Sequence, residues 1–163
     1  MIDDSFEAVG HVRIIKRSVE TGEVVFDKTF KNQITNYACQ QAALMWAGVT
    51  SLVPSQIAVG IGTNAAGTSP NDQALWSEVS GSRQSLDYAT TFLNYYVQYA
   101  VTYDQTEVLG TITGQNPTGQ IVLSEAGLFD SQGNLWSHVP LNNVTHDNTT
   151  TLSIQWQVLM KGN

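Results

Sequence analysis

The residues best suited to chemistry are a glycine-rich turn, three histidines, one cysteine and scattered carboxylates. Gly60-Ile61-Gly62-Thr63-Asn64-Ala65 matches G-x-G-x-x-A, and Glu78 follows at a spacing that could place an acid on a ribose. That chemistry needs a helix to begin at the loop and aim its first N–H groups at a pyrophosphate. Here Ala66-Gly67-Thr68-Ser69-Pro70-Asn71 follows, which cannot start a long helix, and no further βαβ unit succeeds it. A plain glycine turn is expected. His11, His138 and His146 are not spaced at i+3 or i+4 from one another or from Cys39, so no metal-ligand pattern exists. Cys39 sits among alanines, where a buried, inert thiol is expected, and a single cysteine excludes an internal disulfide framework. There is no G-x-S-x-G elbow, and Asp104 and Glu107 flank a turn, where acids are usually solvated. Asn143-Val144-Thr145 and Asn148-Thr149-Thr150 match the glycosylation sequon but read as loop polarity. No catalytic residue, metal or cofactor is therefore expected.

The elements that must position these residues are mostly strands. Residues 9–17 and 23–30 alternate apolar and polar positions around Glu20-Thr21-Gly22 and predict a hairpin. Residues 33–47 change to a period of three and four, with Asn32 as N-cap and Gly48 as C′ residue, and predict the one helix. A short strand over 56–61 places Ile57, Val59 and Ile61 on one face. Residues 73–79 fit either a helical turn or a strand start. Residues 90–103 predict one long strand, with Leu93, Tyr95, Val97, Tyr99, Val101 and Tyr103 on one face and Phe92, Tyr96 and Ala100 on a mixed face. Strands follow over 106–113, 119–124, 125–130 and 135–139, with a turn at Ser131-Gln132-Gly133-Asn134. The last, 150–160, turns Leu152, Ile154, Trp156, Val158 and Met160 inward. About eight consecutive strands and one helix predict an all-β chain, an antiparallel β-sandwich or flattened barrel. With no repeat or linker, residues 1–163 read as one domain: hairpin 9–30, helix 33–47 and β-core 56–160.

Composition narrows the function classes. Of 163 residues, 42% are hydrophobic, too many for a disordered chain, and only 13% are charged, too few for a coiled coil or solvated bundle. The net charge of −7 argues against a nucleic-acid partner. No stretch is long and apolar enough for a membrane helix, and the acidic N-terminus is unlike a signal peptide, so synthesis in a cytoplasm is expected. Five of the seven basic residues (Arg13, Lys16, Arg17, Lys28 and Lys31) lie in the first 31 positions. They fit either a solvated face or an electrostatically steered docking edge for an acidic partner or another copy of the same chain.

Several short motifs occur in a fixed order. Asn32-Gln33-Ile34-Thr35-Asn36 opens the helix, and Ile57-Ala58-Val59-Gly60-Ile61-Gly62-Thr63 leads through a loop to Ala74-Leu75-Trp76-Ser77-Glu78-Val79. Ser124-Glu125-Ala126-Gly127-Leu128-Phe129-Asp130, Gly133-Asn134-Leu135 and the final alternating strand complete the series. Over roughly residues 10–160 this order resembles small tailed-bacteriophage virion proteins, including the virion-proximal module of tail-collar fibre proteins. The motifs read as fold-forming: glycines for close backbone approach, Ala126 and Gly127 leaving room for a bulky neighbour, and Leu128 and Phe129 on opposite faces.

The resemblance implies a non-enzymatic structural protein of a virion, made in the host bacterial cytoplasm, without cofactor, nucleic acid or membrane. It implies a tail, collar or fibre-attachment component that docks on other virion proteins. A fibre's shaft or tip has no counterpart before Asn163, which leaves an adaptor or a capsid decoration (cement) protein open, and a carbohydrate-binding β-module for host recognition is the further alternative. A homo-oligomer is expected, a trimer by analogy with fibre-like phage proteins. The expected contact residues are Arg13, Lys16 and Arg17 of the hairpin, Phe92 and Tyr96 of the mixed strand face, and Trp76 and Trp136 near turns.

Overall fold

The computed structural model describes residues 6–87, 91–93, 96–104 and 119–162. Ten strands and one helix occur among them: β1 (Phe6–Ser18), β2 (Val24–Lys31), β3 (Gln33–Ile34), α1 (Asn36–Trp46), β4 (Pro54–Gly60), β5 (Gln84–Ser85), β6 (Thr91–Leu93), β7 (Tyr96–Tyr103), β8 (Gln120–Asp130), β9 (Leu135–Asp147) and β10 (Thr150–Gly162). They form two antiparallel five-stranded sheets, in the orders β2-β1-β10-β7-β6 and β3-β9-β8-β4-β5. This is the all-β, sandwich-like architecture that the alternating segments predict. Alternation works because one face of each strand must leave water and the other need not. The core lies between the sheets, with Val12, Ile14, Val101, Tyr103, Leu152, Ile154 and Trp156 of the first against Ile57, Val59, Leu123, Leu128, Val139 and Leu141 of the second. Trp156 lies on the inward row, as expected, and is fully buried.

The helix begins at Asn36, not residue 33, and Thr35 rather than Asn32 is its N-cap, accepting from the Ala38 N–H. Gln33 and Ile34 pair instead with His138 and Ser137 on β9. Asn32 is buried, with its backbone N–H on Gly10 and its amide on Ser137. Sheet pairing thus takes the first turn away from the helix; Gly48 does stand past the C-terminus at φ +71°.

The single strand over 90–103 is two strands folded back on each other, with Phe92 opposite Val97 and Leu93 opposite Tyr96. Positions directly opposite share a face in an antiparallel pair, so the fold-back reverses the face assignment of position 92 relative to 96. Ile61 does not join Ile57 and Val59 on the inner face; β4 ends at Gly60 and Ile61 is exposed. The segments 119–124 and 125–130 are one strand with an irregularity between Leu123 and Glu125. Residues 73–79 form neither helix nor strand beyond a single bridge from Glu78 to Gly60. Cys39 is exposed, not buried. The expected strand 106–113 lies outside the described residues.

Strand β8 is buried almost end to end, on both faces. Its inner row, Ala126 and Leu128, meets the main core, while Phe129 on the opposite row packs with Ala58, Leu75 and Leu135 in a second cluster. The loop between β4 and β5 covers that outer face. This cover is why the outer row holds a carboxylate, Glu125, with no exposure.

Candidate functional site

The glycine turn, the loop after it and the two long strands of the second sheet meet at Glu125. Its carboxylate accepts from the N–H of Gly62 (3.1 Å), Ser77 (2.7 Å) and Trp76 (2.8 Å). His138 Nε2 lies 2.9 Å from the same carboxylate, and its Nδ1 lies 2.8 Å from Asp72. The imidazole stacks on Trp76 with ring centroids 4.6 Å apart. The Ser69 N–H bonds Asp72 and completes the hold on the loop.

Local register builds this arrangement. On the β8–β9 ladder His138 lies opposite Gly127, which places Glu125 at the diagonal position on the same face. The glycines supply the space. A Cβ on Gly60 would fall 2.4 Å from the Glu125 carboxylate, and one on Gly62 would fall 2.6 Å from it and from the Ser77 nitrogen. A Cβ on Gly127 would strike Phe129, Leu135 and Leu75. Gly60 and Gly62 thus serve as the expected close-approach residues, Gly127 leaves room for bulky neighbours as expected, and the partner of the glycine turn is a buried carboxylate.

Burial by itself would push the Glu125 carboxyl up. The bonds from His138, Ser77 and Trp76 outweigh it and hold the group below the ordinary carboxylate range. Carboxylate–imidazole–carboxylate is an arrangement used in acid–base chemistry. Here both imidazole nitrogens face carboxylates, so neither is left to take a proton from a nucleophile, and Glu125 and His138 are both fully buried. What the arrangement does is clamp the loop over 61–83 onto the sheet.

A second clamp lies at the other end of the same motif. Asp130 accepts from the N–H groups of Gln132 and Asn134, the Trp136 indole and the Tyr37 hydroxyl. Despite burial, these bonds hold its carboxyl below its usual range. Burial, with Asp130 as a second cause, pushes the Tyr37 phenol up to about 12. The expected turn at 131–134 forms, with Gly133 at φ +85°. Asp130 therefore ties turn, helix and β9 together.

The expected contact residues do not gather in one place. Trp76 and Trp136 are half-buried and engaged at the Glu125 and Asp130 clamps respectively. Arg13 makes a bidentate pair with Asp27 across the β1–β2 hairpin, Arg17 donates to the Gly22 carbonyl, and Lys16 is half-buried. Tyr96 is half-buried beside β10, opposite Leu159. Phe92 lies on β6, at the far edge of the first sheet.

In the sequence, Glu125 reads only as part of a fold-forming motif, with nothing to connect it to Asp72 or His138. The hairpin register counted from the turn at 131–134 could have placed Glu125 beside His138; nothing local marks Asp72. Among the described residues no group of three or more His, Cys, Asp or Glu is placed to hold a metal ion. Comparison with protein-family models, curated proteins and solved structures finds no match to this chain.

Proposed function

We propose that this chain is a non-enzymatic structural protein of a tailed-phage virion, a tail, collar or fibre-attachment component that associates with copies of itself and docks on the particle. One observation carries the reading. Two of the motifs on which the resemblance rests, Val59-Gly60-Ile61-Gly62 and Glu125-Ala126-Gly127-Leu128-Phe129-Asp130, interlock through the Glu125 carboxylate. Their polar groups are used to hold loops on a rigid sandwich, which suits a part that must keep its shape in an assembly. The test is localisation: mass spectrometry of purified particles, then cryo-electron microscopy with this domain fitted to the density. Density for it at the tail, collar or fibre base is expected. Particles that lack the chain would overturn the reading, and density on the capsid lattice would replace the tail placement with a decoration role.

One feature favours carbohydrate recognition as a second reading. A hollow beside the start of α1 is lined by Asn36, Tyr37, Gln40, Asn71, Asp72 and Gln73, whose amides match paired sugar hydroxyls. A glycan array with the isolated chain separates the two readings.

A further inference from the structure

Helix α1 carries two stripes of different chemistry. Ala38, Cys39, Ala42 and Trp46 line an apolar cavity of about 270 Å³ between the helix and the sheets. A second stripe, Asn36, Gln40 and Leu44 at successive i, i+4 positions with Tyr37 and Gln41 beside it, lines two open hollows instead. The first hollow, of about 500 Å³, lies between the start of α1 and the loop carrying Asn71 and Gln73. The second, of about 780 Å³, lies between the middle of the helix, residues 50–53 and the turn at 131–134. Tyr37 and Asn134 line both, so the hollows adjoin there. Together they make a groove that follows the helix from Asn36 to Leu44, a length of about 12 Å at the α-helical rise and more than one sugar ring.

The lining is amide and hydroxyl. Gln40, Asn71 and Gln73 serve the first hollow, and Gln41, Thr50, Ser131 and Gln132 the second. Among the described residues Asp72 is the one charged side chain that lines either, and its carboxylate is already engaged by the Ser69 N–H and His138. A phosphate or an acidic sugar therefore finds no counter-charge here. The walls are a helix, a turn and loops, and the strands that reach them, β4 and β9, are paired on both sides, so an extended peptide has no edge to join. Carboxamides carry donors and an acceptor on one group, which matches the neighbouring hydroxyls of an uncharged sugar.

The groove is also preformed. Asn36 Nδ2 donates to Asn71 Oδ1 (2.8 Å), the Asn36 N–H bonds the Pro70 carbonyl, and the Asn71 N–H bonds the Ser69 hydroxyl. Where the hollows meet, Asn134 Nδ2 donates to the Tyr37 hydroxyl (2.9 Å), which donates in turn to Asp130. With its hydroxyl so engaged, Tyr37 offers the groove its ring, an apolar platform for the C–H face of a sugar. Groups held in place beforehand lose little freedom when a ligand arrives.

We propose that this groove binds a linear, uncharged oligosaccharide longer than a disaccharide, laid along α1 from the Asn71 side to the Gln132 side across Tyr37. This rests on the carbohydrate reading given above and names the ligand class and its path.

The experiment probes an array of neutral and acidic glycans, from mono- to hexasaccharide, with the full chain. The strongest binder is then titrated into the millimolar range while side-chain amide NMR signals are followed. The titration is repeated on Gln40→Ala, on Gln132→Ala and on a control, Gln155→Ala, which removes an amide from the outer face of the first sheet. Gln40 and Gln132 are exposed, so both variants should melt like the parent. Neutral glycans longer than a disaccharide should bind and should shift the signals of Gln40, Asn71, Gln132 and Asn134 together. Gln40→Ala and Gln132→Ala should each raise the dissociation constant about three- to tenfold, the loss of one hydrogen bond, and Gln155→Ala should leave it unchanged. Binding confined to acidic glycans, or a disaccharide that binds as tightly as longer chains, overturns the inference. So does a neutral glycan whose shifts lie elsewhere, or whose affinity is unchanged in either groove variant; the carbohydrate reading then stands and the groove is wrong. A chain that binds no glycan on the array overturns both.

Discussion

Replacing Glu125 with alanine should detach the loop over 61–83 and cost a large part of the stability of the fold. The carboxylate is the acceptor for three backbone N–H groups, of Gly62, Trp76 and Ser77, and faces His138 Nε2. Each of these three donors left without a partner costs about 1–3 kcal/mol, and bonds to an ionised carboxylate are the stronger ones. The terms overlap, because a freed loop can reach water, so a loss of about 4–6 kcal/mol is expected. Against a total of roughly 5–15 kcal/mol, this leaves a marginal fold. At about 2–4 °C per kcal/mol for a chain of this size, the melting temperature should drop by about 10–20 °C. Glu125→Gln is the informative contrast. Its oxygen can keep the bonds from Gly62 and Ser77, while its NH₂ takes the place of the oxygen that faces His138 Nε2. Only the Trp76 N–H then loses its acceptor, a cost of about 1–3 kcal/mol. The assays are thermal and urea unfolding of both variants, with hydrogen exchange by residue. In the alanine variant the amides of Gly62, Trp76 and Ser77 should exchange quickly while those of β10 stay protected. A Glu125→Ala protein that melts within about 3 °C of the parent, or keeps those three amides protected, would refute the clamp.

Three other outcomes follow from the same structure. Gly62→Ala should destabilise by about 1–3 kcal/mol in urea unfolding, because its Cβ meets the Ser77 nitrogen and the Glu125 carboxylate at 2.6 Å and the backbone cannot move aside freely. Trp156→Ala should cost about 3–5 kcal/mol and melt far below Trp76→Ala or Trp136→Ala, since Trp156 is wholly buried and the other two are half-exposed; equal melting temperatures would contradict that ranking. Stability should fall with acid in two stages. Burial pushes the His146 imidazole below its ordinary 6.5, so its contribution is present above that value and is lost as pH falls through and below it; His146→Gln should flatten this part of the unfolding free-energy curve. Glu125 and Asp130, both held below their ordinary carboxyl range, contribute above that range and are lost as pH falls through their folded values.

Much of the fold was legible because strand alternation is a local signal. The hairpin around Glu20-Thr21-Gly22, the turn at 131–134 and the inward row Leu152, Ile154 and Trp156 all formed where periodicity and turn chemistry placed them. Errors arose where a distant partner competed with a local preference. Asn32 has the chemistry of an N-cap, but pairing of Gln33 and Ile34 with β9 removed it from the helix. Residues 90–103 alternate well enough for one strand, yet the chain folds back, and periodicity does not count the turn.

The sequence by itself determined the class of structure: two faces per strand, one buried, in consecutive antiparallel pairs, with glycines where backbones approach. Only the tertiary structure decided what those glycines approach. Asp72, His138 and Glu125 lie 66 and 13 residues apart, and each by itself is an ordinary polar residue. Their meeting depends on the loop over 61–83 closing on the outer face of β8, and no periodicity within either segment encodes that closure. The same holds for α1, whose three-and-four periodicity marks a helix but does not say which of its residues are buried. The structure buries only Ala38 and leaves Trp46 over a cavity, because sheet pairing at β3 fixes where the helix starts and so which of its residues reach the core.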